Sequence, residues 1–322
     1  MEHKKLIDEM QRCGVAALFL IKDAIKEMID LTEYSLSGSV AYIRNLLEVC
    51  LAQPTIDGDV NSFHNLSVVL ANVQMYYEAS EVIKKGLSVY PRSPDLLADF
   101  IAYGMNCGRQ SECSDIYDII VNDLPREMWT WRVYDFCIDY LFKKIEVSAT
   151  TETISCELAK IEKLTDEYIK MFGDKELSYY AKANYFDFVR QHENQISVLE
   201  KAVRLLPKTP QCSLSLAQIK FQKCDYITAI GLLESCKQYI NPIDKKSELG
   251  QIYLLLTFCR IANFLRIRNM KEGEVINIDE YAKKVHNDYR AASETKIVGS
   301  EMFSELTEVL HVFSIESGVS FY

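Results

Sequence analysis

The sequence predicts an all-α protein built from repeated helical hairpins. Three observations support this: few helix breakers, apolar residues at the helical period, and evenly spaced prolines. Only 12 Gly and 7 Pro occur in 322 residues, too few for the many turns of a β-sandwich or barrel. Pro91 and Pro125 are 34 residues apart, and Pro207 and Pro242 are 35 apart. Prolines at this interval are expected where one helix pair ends and the next begins.

The first 58 residues lack this spacing. Between Leu6 and Leu31 the apolar residues follow one face of a long helix, and a second helix is expected before Pro54. We expect residues 1–58 to form a helical cap that buries the open end of the array. The same residues would also suit a docking or self-association helix, so both interpretations stay open here.

The repeat is clearest in residues 60–93. With residue 60 as position 1, the residues at positions 4, 7, 8, 11, 20, 24, 27 and 32 are Phe63, Leu66, Ser67, Leu70, Ala79, Ile83, Gly86 and Pro91. The first four lie on one face of a first helix, and the next three on one face of a second. This pattern resembles the tetratricopeptide repeat family. The resemblance implies a helical-hairpin solenoid that winds into a right-handed superhelix.

The windows that follow are less regular. Residues 94–127 carry Ile101 and Gly104 at positions 8 and 11, from which we expect a loosely packed second helix. Counting the third first helix from Met128 puts Trp131 at position 4 and Asp135 at position 8. Its second helix is expected only at about residues 156–172, because a polar stretch precedes it.

Regular repeats resume at residues 176–209 and 210–242. After them we expect an elongated hairpin, whose helices end near Arg268 and run from 278 to 292, and a capping helix at about 299–315. The predicted domains are a helical cap (1–58), repeats (59–142), an irregular helical insertion (143–175), repeats (176–242), and an elongated hairpin with a capping helix (243–322).

Charge and cysteine content narrow the choice of partner and compartment. The formal net charge is −10 and the pI is about 5.2, so we expect no nucleic-acid partner. The ten cysteines form no C-x-x-C pair, as is usual in a reducing compartment. No apolar run approaches the length of about 20 residues that spans a membrane. We therefore expect a cytoplasmic protein without a membrane partner.

Motifs for catalysis are missing from the sequence. It contains no G-x-x-x-x-G-K loop, no G-x-G-x-x-G, no H-E-x-x-H and no G-x-S-x-G elbow. The five histidines are far apart, and His192-Glu193 falls at a predicted turn rather than in a metal-binding pattern. The sequence predicts a protein that is not an enzyme and that holds no cofactor and no metal.

The resemblance also implies a binding groove. In this family, positions 2, 5, 9, 12 and 13 of the first helices line the concave side. The residues that these positions select are Asn61, His64, Asn72, Asp95, Asn106, Trp129, Arg132, Phe136, Asp139, Tyr180, Asn184, Asp187, Gln218 and Gln222. Amides of this kind can pair with a peptide backbone. The Lys and Asn cluster that grips an acidic C-terminus in some members is not present. Trp129 is expected either as an exposed anchor or as a core residue of the irregular third unit.

The function expected from this groove is a scaffold or adaptor that binds a protein or peptide, through the groove or the N-terminal helix. Two alternatives remain: a regulator that senses a peptide or small ligand, and an accessory subunit for an enzyme on another chain. A homo-oligomer and a heteromeric complex are both compatible with the sequence. A polar surface without any ligand would show the same residue types.

Overall fold

Helices account for all the regular structure described in this chain. The computed structural model describes residues 44, 47, 48, 51, 59–147, 150–206, 208–240, 246–270, 277–294 and 300–318, and no strand occurs in these ranges. In chain order the helices are α1 (Val60–Asn72), α2 (Tyr76–Val89), α3 (Pro94–Asn106), α4 (Gln110–Asp123), α5 (Trp131–Glu146), α6 (Thr151–Phe172), α7 (Glu176–Phe188), α8 (His192–Leu205), α9 (Pro210–Gln222), α10 (Tyr226–Lys237), α11 (Lys246–Met270), α12 (Ile278–Glu294) and α13 (Ser300–Ser317). The predicted all-α fold is confirmed.

The chain forms two compact units, Met1–Tyr168 and Ile169–Tyr322, here called unit 1 and unit 2. Apart from four residues, the predicted N-terminal cap lies outside the described residues, as do Pro207 and Pro242. The cap and the exact domain boundaries therefore stay predictions.

Four hairpins share one geometry. Their first helices, α1, α3, α7 and α9, begin at residues 60, 94, 176 and 210, where four of the repeat windows were predicted to start. Each first helix has 13 residues, and a three-residue turn connects it to its second helix. Pro94 and Pro210 are the first residues of α3 and α9. Proline suits this place because it has no N–H and its φ is already helical.

The middle residue of each connecting turn has a left-handed backbone. These residues, with their φ angles, are Gln74 (62°), Gly108 (83°), Arg190 (59°) and Cys224 (59°). The next residue donates its N–H to the carbonyl five places earlier, as Met75 does to Leu70 at 3.0 Å. Its own carbonyl accepts the Ala79 N–H at 2.9 Å. One residue therefore ends the first helix and begins the second.

Small buried residues let the two helices of a hairpin approach closely. Ser67 and Ala79, at positions 8 and 20 of the first hairpin, are both 0% exposed. Ala217 and Ala229 occupy the same positions in the fourth hairpin and are also 0% exposed. A close approach of this kind maximises the contact between the apolar faces.

Gly104 of α3 and Cys113 of α4 make one close contact in the second hairpin, and the expectation of a loosely packed second helix stays a prediction. A Cβ added to Gly104 of α3 would lie 2.6 Å from Sγ of Cys113 on α4. Cys113 is larger than the alanine found at this position in the first and fourth hairpins, and it is 0% exposed. The missing side chain at Gly104 makes room for the larger one at Cys113, so the close approach is kept.

The third first helix starts three residues later than predicted. Pro125 is followed by a 3-10 turn at Arg126–Met128, and α5 begins at Trp131 after Thr130. Counted from Trp131, positions 4, 7, 8 and 11 hold buried residues, which are Tyr134, Cys137, Ile138 and Leu141. The register that begins at Met128 is therefore wrong. The 3-10 turn takes up the three additional residues, and the Met128 N–H bonds to the Pro125 carbonyl at 2.9 Å.

The remaining helices follow the predicted order with longer spans. The helix α6 has 22 residues and begins five residues before Cys156. In unit 2, α11 has 25 residues and extends past Arg268, and α12 and α13 follow close to their expected places. Phe264 of α11 meets Phe313 of α13 edge to face, with ring centroids 4.9 Å apart. These three helices share one apolar cluster.

Candidate functional site

A fully buried aspartate joins three first helices of unit 1. Asp99 of α3 is 0% exposed. His64 of α1 donates from Nδ1 to Asp99 Oδ2 across 2.6 Å, because an ionised carboxylate can only accept. Arg132 of α5 donates from Nη2 to Asp99 Oδ1. Two partners therefore compensate a charge that would be costly to bury alone.

Further polar contacts tie α3 to the start of α5. Thr130, just before α5, donates from Oγ1 to Asp95 Oδ1 of α3 at 2.9 Å. Burial, and then the charge of Asp99, raises the pKa of Tyr103 to about 12. Tyr103 therefore stays protonated beside the cluster. These contacts hold α3 and α5 in one relative position, so the surface that the two helices share is pre-organised.

We call the open surface of α1, α3 and α5 the first-helix face; it contains the predicted groove residues of unit 1. None of those in the three helices is buried. The exposed ones are Asn61, Asn72, Asn106 and Asp139, and the half-buried ones are His64, Asp95, Arg132 and Phe136. With α5 counted from Trp131, Arg132 and Asp139 are at positions 2 and 9 and Asp135 is at position 5. The corrected register thus adds Asp135 to the face.

Trp129 lies in the core of unit 1, so it is not an exposed anchor. It is 3% exposed, and its Nε1–H donates to the Leu124 carbonyl at 3.2 Å. Its ring meets Tyr134 edge to face at 5.1 Å between centroids. The Arg126 guanidinium stacks 3.7 Å from the ring centroid. Of the two roles predicted for Trp129, the structure confirms the core role, because the residue precedes α5 instead of lying on it.

A small pocket opens on the first-helix face between α3 and α5. Its volume is about 90 Å³. Its apolar walls are Ile101, Ala102, Met105, Phe136 and Tyr140, and its polar residues are Asn106, Asp139 and Lys143. Space of this size exceeds what a single water needs and suits one side chain. Three residues predicted from the sequence, Asn106, Phe136 and Asp139, therefore line one cavity.

Two carboxylates follow each other along the groove side of α5. Asp135 and Asp139 are four residues apart, so they lie one turn apart on the same side of the helix. No ion pair joins either of them to a described residue. Burial, and then the charge of Asp139, raises the pKa of Asp135 to about 7, although Arg132 acts in the opposite direction. Burial also raises the pKa of Asp139, although Lys143, one turn further along α5, acts in the opposite direction.

The predicted groove residues of unit 2 lie on α7 and α9. Tyr180 is half-buried, and the exposed ones are Asn184, Asp187, Gln218 and Gln222. Asn184 and Gln218 occupy position 9 of successive first helices. His192 Nδ1 lies 3.9 Å from Asp187 Oδ1, and both side chains are largely exposed. These residues form a polar surface without a described cavity.

The buried cysteines are poor candidates for nucleophiles. Burial raises the pKa of Cys113 and Cys259 to about 12 and that of Cys236 to about 11. A cysteine attacks as its thiolate, so these thiols are unreactive near neutral pH. In the described ranges, no three His, Cys, Asp or Glu side chains are grouped as metal ligands. The predicted lack of enzymatic activity, cofactor and metal stays a prediction.

One finding concerns membranes. Of the helices in the part of the chain that the structure describes, none combines the length and the apolar character needed to cross a bilayer.

Besides Asp135, the sequence-based prediction missed Asp99. It stands in the apolar run Leu96–Ile101, at position 6, which the family pattern does not assign to the groove. A carboxylate in such a run must be paired when it is buried. The residues at about one repeat on either side, His64 and Arg132, are the donors that it needs. The signal was present, but it required reading three windows together.

Comparison with known proteins places the fold. No family model matches the sequence, and no curated protein matches it. Among solved structures, the tetratricopeptide-repeat protein TTC0263 of Thermus thermophilus is similar with a TM-score of 0.51 and 12% identity, over 61% of this chain and 98% of that one. A monomeric mutant of IFIT1 with Gppp-AAAA has a TM-score of 0.47 and 12% identity, over 99% of this chain and 76% of that one.

A third solved structure is more distant. The APC/C hetero-tetramer Cut9-Hcn1 has a TM-score of 0.41 and 14% identity, over 94% of this chain and 54% of that one. At these identities the likeness concerns the fold alone, and it rests on TTC0263. Together with the four hairpins of 34-residue register, it shows that the chain has the tetratricopeptide-repeat fold.

Proposed function

We propose that this chain is a non-catalytic interaction module that binds a segment of a partner protein on the first-helix face of unit 1. The observation that carries the proposal is the pocket between α3 and α5, which is lined by three of the groove residues predicted from the sequence. Residues of the face stand apart from the packing positions, which are filled by buried residues such as Leu97 and Ile138. Exposed side chains such as Asn106 and Asp139 can therefore contact another molecule without disturbing the helix packing.

The physical character of the face favours a protein segment over other partners. Asn61, Asn72 and Asn106 can each donate to and accept from a peptide backbone. The apolar walls of the pocket can remove one partner side chain from water. The overall charge of −10 opposes binding to phosphate backbones. The carboxylates Asp135 and Asp139 point to the same conclusion, since both would repel a phosphate.

Affinity purification from the native host tests this function. The tagged full chain and an Ala102→Phe variant, whose added ring fills the pocket, should be compared by mass spectrometry. We expect a protein that co-purifies with the wild type and is lost from the variant, while both proteins keep the same circular dichroism and melting temperature. A partner retained equally by both would contradict a role for this face.

The two alternatives give different results in the same preparation. A ligand-sensing regulator would bind a small molecule without any protein partner, and its melting temperature would rise in a ligand screen. An accessory subunit would co-purify with an enzyme whose activity changes when this chain is added.

A further inference from the structure

The pocket and the two carboxylates lie side by side on α5. Asp139 belongs to the pocket lining, and Asp135 comes one turn earlier on the same side of the helix. One helical turn is about 5.4 Å long, and an extended peptide advances about 3.3 Å per residue. A partner residue next to the pocket, or one place further, therefore reaches the carboxylates. The pocket and the carboxylates would contact neighbouring residues of one bound segment.

We propose that the first-helix face binds an extended segment in which an apolar side chain fills the pocket and a Lys or Arg one or two residues away pairs with Asp135 and Asp139. This inference rests on the function proposed above and names the chemistry of the partner. Apolar walls around a cavity of about 90 Å³ select an apolar anchor. Charge complementarity selects the basic neighbour, since neither carboxylate forms an ion pair with a described residue.

The other charges of the face do not fill this role. Arg132, the nearest cation on α5, is paired with the buried Asp99. Lys143 also lines the pocket and lies one turn beyond Asp139 on α5. The two carboxylates thus lie toward the Asp135 end of this stretch of α5, and the cation lies toward the Lys143 end. A segment with its basic residue at the Asp135 end fits this polarity, and one with the basic residue at the other end is repelled by Lys143.

The state of Asp135 supports the pairing. Burial and the neighbouring carboxylate raise its pKa to about 7, which means that its charged form is disfavoured in the folded protein. A partner cation would remove that penalty. A carboxylate whose ionisation destabilises the fold is also more commonly found at a functional site than on an ordinary surface.

A random peptide library displayed on phage, selected against the full chain, tests the inference. The enriched peptides are then synthesised and titrated against wild type and Asp139→Lys. Asp139 is exposed, so the substitution leaves the core intact. The matched control is Asp115→Lys, which makes the same charge change at an exposed site on α4, outside the pocket.

The expected result is a family of enriched peptides that pair an apolar residue with a nearby Lys or Arg. Their affinity should fall by about tenfold or more in Asp139→Lys and stay the same in Asp115→Lys, and added salt should weaken it. Peptides without a basic residue, or peptides that bind Asp139→Lys as well as wild type, would overturn the inference.

Failure of the proposed function gives a separate result. If the enriched peptides bind Ala102→Phe as tightly as wild type, or if no peptide is enriched, the face does not bind linear segments. Should Ala102→Phe melt at a lower temperature than wild type, Asn106→Trp takes its place, because Asn106 is an exposed residue of the same pocket. Peptides lost from the pocket-filling variant but lacking a basic residue refute only the charge pairing.

Discussion

Gly86 of α2 lies directly against Phe63 of α1. A Cβ added to Gly86 would be 2.9 Å from Cγ of Phe63, and it would also be 3.0 Å from Cδ1 of Leu96 on α3. The three residues belong to three successive helices, and Phe63 and Leu96 are 0% exposed. At Gly86, the two helices of the first hairpin therefore pack against each other and against the first helix of the second hairpin.

Substitution of this glycine should destabilise unit 1. Gly86→Val places a branched side chain where no space exists, and we expect a loss of about 1–3 kcal/mol from overpacking. Gly231→Ala of α10 is the control, because nothing lies within 4 Å of its added Cβ. Alanine is the better helix former, so that change should stabilise by about 0.5–1 kcal/mol. Urea denaturation of both variants checks the contrast; equal stabilities would contradict it.

At a left-handed turn residue, a change to glycine should stabilise the protein. Arg190 has φ 59°, a conformation that costs a side chain with a Cβ about 1 kcal/mol or more. Arg190→Gly should therefore increase the free energy of unfolding by up to about 1 kcal/mol. The urea midpoint should rise accordingly. Gly108, at φ 83° with nothing near its added Cβ, provides the reverse test. Gly108→Val should lower the midpoint, and a rise would show that the turn geometry is wrong.

The buried cluster in unit 1 should be sensitive to removal of its centre. Asp99→Ala leaves His64 and Arg132 without their shared acceptor, and we expect a loss of about 3–5 kcal/mol. Asp95→Ala, which removes the bond to the Thr130 hydroxyl, should cost about 1 kcal/mol. Thermal melts of the two variants measure the difference. If Asp99→Ala melts no lower than Asp95→Ala, the cluster does not hold the three helices.

Replacement of Asp135 by asparagine should stabilise the protein at alkaline pH but not at acid pH. Its folded pKa of about 7 exceeds the ordinary value of 3.8, so the folded protein binds this proton more tightly than the unfolded chain. The resulting stability is complete below the ordinary pKa and is lost as the pH rises through about 7. Asp135→Asn is neutral at every pH and avoids that loss. After allowance for solvent screening, we expect it to stabilise by roughly 1–2 kcal/mol at about pH 8.

Unfolding measured at acid pH checks whether the stabilisation comes from the ionisation of Asp135. Denaturant unfolding of wild type and Asp135→Asn should give nearly equal free energies at about pH 4, where the native carboxyl already holds its proton. A stabilisation of the same size at both pH values would show that ionisation of Asp135 is not its cause.

Hairpin positions could be predicted because the packing rules act within one window. Phe63, Leu66 and Ala79 are buried at the positions that the period assigns to them. Gly104 shows the limit of that method: its role depends on Cys113 of the partner helix, so its effect could not be judged alone. Gly104 departs from the repeat pattern by itself, but the small residue compensates for the larger Cys113 on the neighbouring helix.

The site was harder to predict because it depends on where α5 begins. The 3-10 turn before Trp131 shifts the register by three residues, and only the folded geometry shows how that turn is made. The shift moved Trp129 into the core and brought Asp135 onto the face. Arg132 and Asp139 remained on the face in both registers. The buried Asp99 escaped notice because its partners come from two other repeats.

Site-specific photo-crosslinking in the native host tests directly whether a partner protein binds at the first-helix face. A photoreactive amino acid replaces Asn106, at the pocket of the first-helix face, or Asp115, an exposed residue of α4. If the first-helix face of unit 1 binds a partner protein, light should produce a crosslinked species of higher mass from position 106 and none from position 115. Crosslinking from position 115 without any from position 106 would contradict the account.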